Sequence, residues 1–244
     1  MHTSSKKIAL VTGANKGIGF EIARQIGRSG ATVLLACRDN AAGATAAAVL
    51  AGERLAVHAI VLDVIDRASI IAAADRIAAE FGRIDILVNN AGINDPADGL
   101  PSAASLDAVE RVWRTNFLGA LAVTQAMLPL LRESRAGRIV NVSSGLGSLT
   151  QNGDPGYASA ATKLIGYSAS KTALNMLTVQ LAYELRGTLI KVNSADPGYT
   201  ATDLNFHRGH QTIPEGAAEA IRLALLPDDG PTGTYSDSKG IVPW

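Results

Sequence analysis

The sequence predicts an α/β fold, with one doubly wound parallel sheet of about seven strands and helices on both faces, in a single domain over residues 1–244. Three observations predict it. Short β-branched runs alternate with longer alanine-rich segments, which is the order of βα units in a parallel sheet. The β-branched runs are almost wholly apolar, as in strands buried on both faces. No proline- or serine-rich linker divides the chain.

The elements alternate along the chain. Strands are predicted over residues 8–12, 32–36, 55–62, 84–89, 138–142 and 189–194. Helices are predicted over residues 17–29, 40–51, 67–81, 106–131, roughly 160–186 and 215–225, from apolar residues at helical spacing. Two polar segments, 145–166 and 200–214, follow strands. We expect them at the carboxyl edge of the sheet as walls or lids of a site, because open α/β sheets bind ligands there.

Composition limits the classes of function. Apolar residues make up 47% of the chain, and lysine plus arginine equals aspartate plus glutamate at 22 each. A net charge of zero gives no sign of a nucleic-acid partner or an anionic membrane. The one cysteine, Cys37, excludes an intramolecular disulfide and a cysteine-based zinc cluster. The polar start, and the lack of any run near the ~20 apolar residues that span a bilayer, predict a cytoplasmic protein without a membrane partner.

A glycine-rich turn joins the first predicted strand to the first helix. Its sequence is Gly13-Ala14-Asn15-Lys16-Gly17-Ile18-Gly19. Glycines let the backbone turn tightly and approach a ligand, and the helix start behind them offers free N–H groups to an anion. The spacing alone would fit any tight turn. Placed between a strand and a helix, it favours a Rossmann-type dinucleotide site over a purely structural turn.

The end of the second strand indicates which dinucleotide is bound. Sites for NAD place an acidic residue there to bind the ribose hydroxyls, whereas this chain has Cys37, followed by Arg38 and Asp39. Arg38 and Lys16 suit a 2′-phosphate, since arginine binds phosphate through two hydrogen bonds. The sequence therefore predicts NADPH rather than NADH. The alternative is a surface ion pair between Arg38 and Asp39, which contributes little.

Tyr167 and Lys171 carry the catalytic hypothesis. Side chains four residues apart share one face of a helix. A phenol ordinarily keeps its proton up to a pH of about 10, and a neighbouring ammonium group is expected to lower that pKa. Such a tyrosine can give a proton to a carbonyl oxygen or take one from an alcohol. Taken alone, the pair would also fit an aromatic contact beside a solvated lysine.

With these motifs, the chain resembles the short-chain dehydrogenase/reductase family over nearly its whole length. The resemblance implies the catalytic set Asn116, Ser144, Tyr167 and Lys171, with the second serine of Ser143-Ser144 in the family's serine position. It implies that Asp63 contacts the adenine and that the later threonine of Pro197-Gly198-Tyr199-Thr200-Ala201-Thr202 contacts the nicotinamide amide. Turn and resemblance together predict these cofactor-binding residues: Gly13, Asn15, Lys16, Gly17, Ile18, Gly19, Arg38, Asp63, Val64, Asn90, Ala91, Gly92, Tyr167, Lys171, Pro197, Gly198, Thr200 and Thr202.

Within the family, the glycine turn, Arg38 and the ending Pro243-Trp244 are similar to the NADPH-dependent carbonyl reductases. Ser144 and Tyr167 are 23 positions apart, a longer spacer than in typical bacterial members. Tyr157 stands at the shorter spacing, but Ala161 follows it where the lysine should be. We therefore reject Tyr157 as the acid and expect it at most to line the substrate pocket.

The predicted function is reversible NADPH-dependent reduction of ketones or aldehydes to alcohols, with the proton from Tyr167. The resemblance implies that Lys171 also bonds the nicotinamide ribose and that Asn116 holds Lys171 through water. A 3-oxoacyl-thioester reductase remains an alternative, as does a dinucleotide-sensing protein without turnover. His207 and His210 lack a third ligand in the sequence, so no metal is predicted. The expected partner is a small carbonyl compound, and the sequence leaves monomer and homo-oligomer open.

Overall fold

The computed structural model describes residues 6–244, so the start of the chain over residues 1–5 lies outside it. An eight-stranded sheet forms the centre of the fold. Its strands are β1 (Ile8–Thr12), β2 (Thr32–Cys37), β3 (Val57–Val61), β4 (Ile86–Asn89), β5 (Arg138–Val142), β6 (Lys191–Ala195), β7 (Thr234–Asp237) and β8 (Gly240–Ile241). The helices are α1 (Gly17–Arg28), α2 (Asn40–Gly52), α3 (Arg67–Phe81), α4 (Leu106–Trp113), α5 (Ala120–Arg132), α6 (Leu149–Gly153), α7 (Ile165–Glu184) and α8 (Ile213–Ala224).

The strand order is β3-β2-β1-β4-β5-β6-β7-β8. Strands β1 to β7 are parallel, and β8 pairs antiparallel with β7. β1 and β4 lie side by side although two strands separate them along the chain. Such a switch point opens a crevice at the carboxyl ends of the strands, where α/β folds bind ligands. The glycine turn after β1 and the segment after β4 both reach this crevice.

Successive strand residues face opposite helical layers, because side chains alternate along a strand. Leu10 of β1 is buried in the cluster that includes Ile77 of α3 and Met127 of α5. The next residue, Val11, faces the other layer, where Ile22 of α1 is buried. The sheet is thus covered on both faces, as the apolar strands predict.

The predicted fold is confirmed, with eight strands where about seven were expected and six were located in the sequence. β7 and β8 were missed because Thr234–Asp237 is short and polar and Gly240–Ile241 has two residues. β3 was expected to be buried on both faces, but it is a partly exposed strand. It lies at the edge of the sheet and pairs with β2 alone, so its outer residues meet solvent.

Two predicted helices have different boundaries. The segment predicted as one helix over residues 106–131 consists of α4, a π-helical turn at Arg114–Gly119, and α5. π-helical turns inside helices are frequent at functional sites, and this one carries Asn116. The helix predicted over 160–186 is the shorter α7. Within residues 6–244, no helix is both long and apolar enough to cross a membrane.

Candidate active site

One cleft at the carboxyl edge of the sheet, about 990 Å³ in volume, brings the predicted site together. Asn116 is buried behind its wall, next to Thr115, which does line the cleft. The other predicted residues line it directly: Gly13, Asn15, Lys16, Gly17, Ile18, Gly19, Arg38, Asp63, Val64, Asn90, Ala91, Gly92, Ser144, Tyr167, Lys171, Pro197, Gly198, Thr200 and Thr202.

The glycine turn forms a backbone cradle that larger residues would fill. Gly13 and Gly17 have φ angles of +62° and +59°, a region that favours glycine. A Cβ on Gly13 would lie 2.9 Å from the Cα of Ala91, and one on Gly19 would lie 2.3 Å from Asn90 Nδ2. The N-cap of α1, Lys16, makes no side-chain capping bond. N–H groups of the first helical turn are therefore available to an anion, and the cradle fits a pyrophosphate.

Asn90 fastens this cradle to the end of β4. Its Nδ2 donates to the carbonyl oxygens of Thr12 at 2.9 Å and Gly13 at 3.2 Å, and its backbone N–H donates to Thr12 Oγ1 at 3.0 Å. The preceding Asn89 points into the core, where its Nδ2 donates to Asn141 Oδ1 at 2.8 Å. Of the two neighbouring asparagines, Asn90 therefore belongs to the site and Asn89 to the interior of the sheet.

At the end of the cleft near β2, the Arg38 guanidinium faces the cleft, and the neighbouring Asp39 carboxylate is bonded elsewhere. The thiol of Cys37 is buried, which raises its pKa, and it donates to the carbonyl oxygen of Asp39 at 3.0 Å. Arg38 is exposed at the cleft. The carboxylate of Asp39 accepts the N–H of Ala42 at 2.9 Å and so caps α2. The structure thus gives Asp39 a capping role in place of the Arg38 ion pair considered as an alternative.

Lys16 forms an ion pair across the mouth of the cleft with Asp203, in the 3₁₀ turn Asp203–Asn205. His207 Nε2 lies 2.8 Å from the other carboxylate oxygen of Asp203. Lys16, and to a smaller degree His207, hold the pKa of that carboxyl below its usual range. A phosphate that binds Lys16 has to compete with Asp203.

Ser144, rather than Ser143, faces the reacting side of the cleft. Its side chain lies close enough to the phenol of Tyr167 to lower the pKa of that phenol, and its Oγ accepts the N–H of Leu146 at 3.2 Å. The hydroxyl of Ser143 is buried and donates to the carbonyl oxygen of Lys171 at 3.4 Å. From β7, the Tyr235 hydroxyl donates to the carbonyl oxygen of Ser144 at 2.6 Å. The assignment of Ser144 therefore agrees with the geometry, and Tyr235 supports its backbone.

Burial dominates the ionisation of Tyr167 and Lys171. It raises the pKa of Tyr167 to about 12, with the neighbouring Ser144 side chain acting in the opposite direction. It lowers the pKa of Lys171 to about 8, opposed by the charge of Asp196. Lys171 Nζ donates to the carbonyl oxygen of Val142 at 2.7 Å and lies 5.7 Å from the centre of the Tyr167 ring. The structure does not show the expected lowering of the Tyr167 pKa by Lys171, because desolvation is the largest effect on the phenol and Lys171 is not among the groups that shift its pKa.

Asn116 bonds the backbone beside the active site. Its Oδ1 accepts the N–H of Ile93 at 2.8 Å, and its Nδ2 donates to the Ile93 carbonyl oxygen at 3.0 Å and to Ser170 Oγ at 3.1 Å. Asn116 Oδ1 and Lys171 Nζ lie 3.4 Å and 3.6 Å from the position of a Cβ on Gly92. The two side chains thus lie near the same spot beside Gly92, while the direct partners of Asn116 are Ile93 and Ser170.

Asp98 contacts the helix that carries Tyr167, a contact that the sequence did not indicate. Its carboxylate accepts the backbone N–H groups of Gly166 at 2.9 Å and Tyr167 at 2.8 Å, and so caps the start of α7. A negative charge at a helix N-terminus stabilises it. This cap explains why α7 begins at Ile165 rather than near residue 160. The signal is absent from the local sequence, since Asp98 comes from the loop after β4.

The two polar segments form walls of the cleft, as expected. Leu146, Thr162 and Leu164 come from the first, and the second contributes residues from Thr200 to Arg208. Tyr157 was expected at most to line the pocket, but the described lining does not include it. Its hydroxyl lies instead against Gly145. Within residues 6–244, no group of three or more His, Cys, Asp or Glu side chains is placed to hold a metal ion.

Known proteins share this architecture. The family model described as short chain dehydrogenase matches residues 7–212. Short-chain dehydrogenase/reductase 1 of Saponaria officinalis is 34% identical over 99% of this chain and 97% of its own length. The carbonyl reductase 1 of Sus scrofa, whose name specifies NADPH, is also 34% identical, over 99% and 96%. The solved structure of an NADPH-bound carbonyl reductase from chicken fatty liver superimposes with a TM-score of 0.84 at 27% identity, covering 98% and 99% of the two chains.

The chain therefore belongs to the short-chain dehydrogenase family, as its motifs indicated. It is an oxidoreductase that acts on CH–OH and C=O groups.

Proposed function

We propose that the protein reduces ketones and aldehydes to alcohols with NADPH, and catalyses the reverse oxidation. The observation that carries this proposal is the joint presence, in one cleft, of Tyr167 with Ser144 beside its phenol, the buried Lys171 and the glycine cradle. The relatives named carbonyl reductase support the same class of substrate.

The preference for NADPH rests on Lys16 and Arg38. Both cations line the cleft where β1 and β2 end, and Cys37 stands where an NAD site would carry a carboxylate. A 2′-phosphate needs such cations, and a ribose hydroxyl does not. The NADPH named in the Sus scrofa and chicken relatives agrees with this preference.

The residues of the chain supply the proton and orient the carbonyl. When bound, NADPH supplies the hydride that the carbonyl carbon receives. Tyr167 gives its phenolic proton to the carbonyl oxygen, and the Ser144 hydroxyl donates a hydrogen bond to the same oxygen as negative charge develops on it. Lys171 contributes a positive charge beside them. A phenol with a pKa of about 12 is fully protonated at neutral pH, which is the form that reduction requires.

Both loops that border the cleft contribute apolar side chains to its lining. Leu146 and Leu164 come from the loop after β5, and Tyr199, Leu204 and Phe206 come from the loop after β6. Phe206 and Tyr199 are both well exposed to solvent, so the opening admits more than one shape of ligand. We therefore expect uncharged ketones and aldehydes with apolar substituents as substrates.

A substrate panel tests the proposal. NADPH absorbance is followed with cyclic ketones, aromatic aldehydes and 3-oxoacyl thioesters, and each reaction is repeated with NADH. Oxidation of NADPH by the ketones or aldehydes is the expected result. A marked preference for thioesters would instead indicate a 3-oxoacyl-thioester reductase. Tight NADPH binding without any turnover would indicate a dinucleotide-sensing protein.

A further inference from the structure

A carboxylate that the proposed chemistry does not use lies against the active site. Asp196 directly follows β6, and its Oδ1 accepts the backbone N–H of Gly198 at 2.8 Å. The backbone of Gly145 lies against the other oxygen of this carboxylate, close enough to lower its pKa. Gly145 directly follows Ser144, and Gly198 lines the cleft. Asp196 therefore joins the loop after β5 to the loop after β6.

The loop after β5 is tightly packed between Asp196 on one side and Lys171 on the other. A Cβ on Gly145 would lie 3.0 Å from Asp196 Oδ2 and 2.1 Å from the hydroxyl of Tyr157. On the other side of the loop, a Cβ on Gly147 would lie 2.8 Å from the Cβ of Lys171. The 3₁₀ turn Gly145–Gly147 is thus held between the carboxylate and helix α7.

The charges of Asp196 and Lys171 influence each other's pKa. Burial raises the pKa of the carboxyl, whereas the N–H groups of Gly198 and Gly145 and the charge of Lys171 lower it. In return, Asp196 raises the pKa of Lys171 and so opposes the effect of burial there. The titratable groups that face Asp196 come from α7, from the segment before α7 and from β7, and are Lys171, Tyr167, Tyr157, Tyr235 and Asp237.

We propose that Asp196 is a positioning residue of the reductase reaction, whose carboxylate holds the Ser144 loop against the Gly198 loop and keeps Lys171 charged. The inference rests on the proposed function. A purely local turn role would be met by asparagine, because its carbonyl oxygen accepts the same Gly198 N–H. The charge is what asparagine does not supply.

The variant Asp196→Asn separates the two roles. Loss of the negative charge should let Lys171 lose its proton at lower pH. The alkaline limb of the kcat/KM profile for ketone reduction should then move down by about one pH unit, as for the loss of a nearby opposite charge.

Asp237→Asn is the matched control. That carboxylate also accepts turn N–H groups, from Lys239 and Gly240, but Lys171 is not among the groups it affects. The inference would be overturned if the alkaline limb of the kcat/KM profile stayed in place in Asp196→Asn. It would also be overturned if Asp237→Asn shifted that limb by the same amount.

A second readout does not depend on turnover. In protein labelled with ¹³C at lysine Cε, Lys171 should titrate below the other lysines, and Lys171→Arg assigns its signal. Asp196→Asn should move that titration to lower pH. If the wild-type protein reduces no carbonyl, the proposed function fails while this titration still decides the role of Asp196. Should Asp196→Asn prove insoluble, Asp196→Ser keeps an acceptor for the turn and must give the same shift.

Discussion

Lys16 and Asp203 are paired across the mouth of the cleft, one from the glycine turn and the other from the loop before α8. The same loop meets the turn again at Gly17, where a Cβ would lie 4.0 Å from Thr202 Cγ2. Phe206 and His207 of this loop both have positive φ angles, which are uncommon for residues other than glycine. The pair therefore links the dinucleotide end of the cleft to its substrate wall.

Asp203→Asn should tighten the binding of NADPH. The substitution releases Lys16 for the 2′-phosphate and removes a negative charge that would repel it. We expect the Kd for NADPH to fall several-fold and the Kd for NADH to change little, measured by titration of cofactor fluorescence. The gain in NADPH affinity should vanish when Lys16→Ala is added, because the released lysine is then no longer there to bind the phosphate. The two single variants and the double variant form a double-mutant cycle. Weaker NADPH binding in Asp203→Asn would mean that the ion pair instead holds the loop closed over the cofactor.

Arg38→Ala should reduce the discrimination between the two cofactors. An arginine that binds phosphate makes strong charge-assisted hydrogen bonds, so its loss should lower kcat/KM for NADPH by about tenfold or more. The value for NADH should remain near that of the wild type. Arg67→Ala, which removes an exposed arginine at the start of α3, serves as the control. Equal losses with both cofactors would place Arg38 outside the 2′-phosphate site.

Tyr167→Phe should abolish most of the turnover while leaving the fold intact. General acids of this kind contribute about 10²- to 10⁴-fold to rate, so kcat should fall by that factor. Tyr157→Phe is a sharp control, since Tyr157 is the other phenol at a plausible spacing from Ser144 and burial also raises its pKa. It should keep the greater part of the wild-type kcat. Comparable losses in both variants would contradict the choice of Tyr167.

The sequence predicts contacts that are local or carried by a family motif. The glycine cradle, Ser144 and Tyr167 belong to this group, because the order of strand, turn and helix determines where they lie. The sequence does not predict contacts that depend on how distant loops meet. Asp98 caps α7 from the loop after β4, and Lys16 reaches Asp203. The π-helical turn that carries Asn116 was not predicted either, because the apolar pattern of the predicted helix continues through it.

Asp98→Ala should destabilise the protein and impair catalysis together. It removes the acceptor of the Gly166 and Tyr167 N–H groups, and replacing a side chain that caps a helix N-terminus by alanine costs about 0.5–2 kcal/mol in total. We expect a loss of about 2 kcal/mol in the free energy of unfolding, measured with urea, and a lower kcat because α7 carries Tyr167. Asp95 lies in the same loop as Asp98 and forms an ion pair with the exposed Arg111 of α4, so Asp95→Ala should have the smaller effect on both quantities. The reverse order would argue against the helix cap.

The pH dependence of reduction should follow Lys171. Burial lowers the pKa of its ammonium from 10.5 to about 8, so the positive charge is present below that pH and is lost as the pH rises through it. If the charge assists the proton transfer from Tyr167, kcat/KM for ketone reduction should be constant below pH 8 and fall above it. Tyr167 itself, with a pKa of about 12, stays protonated throughout this range. Lys171→Arg keeps its charge at any pH used, so whatever activity it retains should lack this limb. A limb that remains near pH 8 in Lys171→Arg would assign the titration to another group.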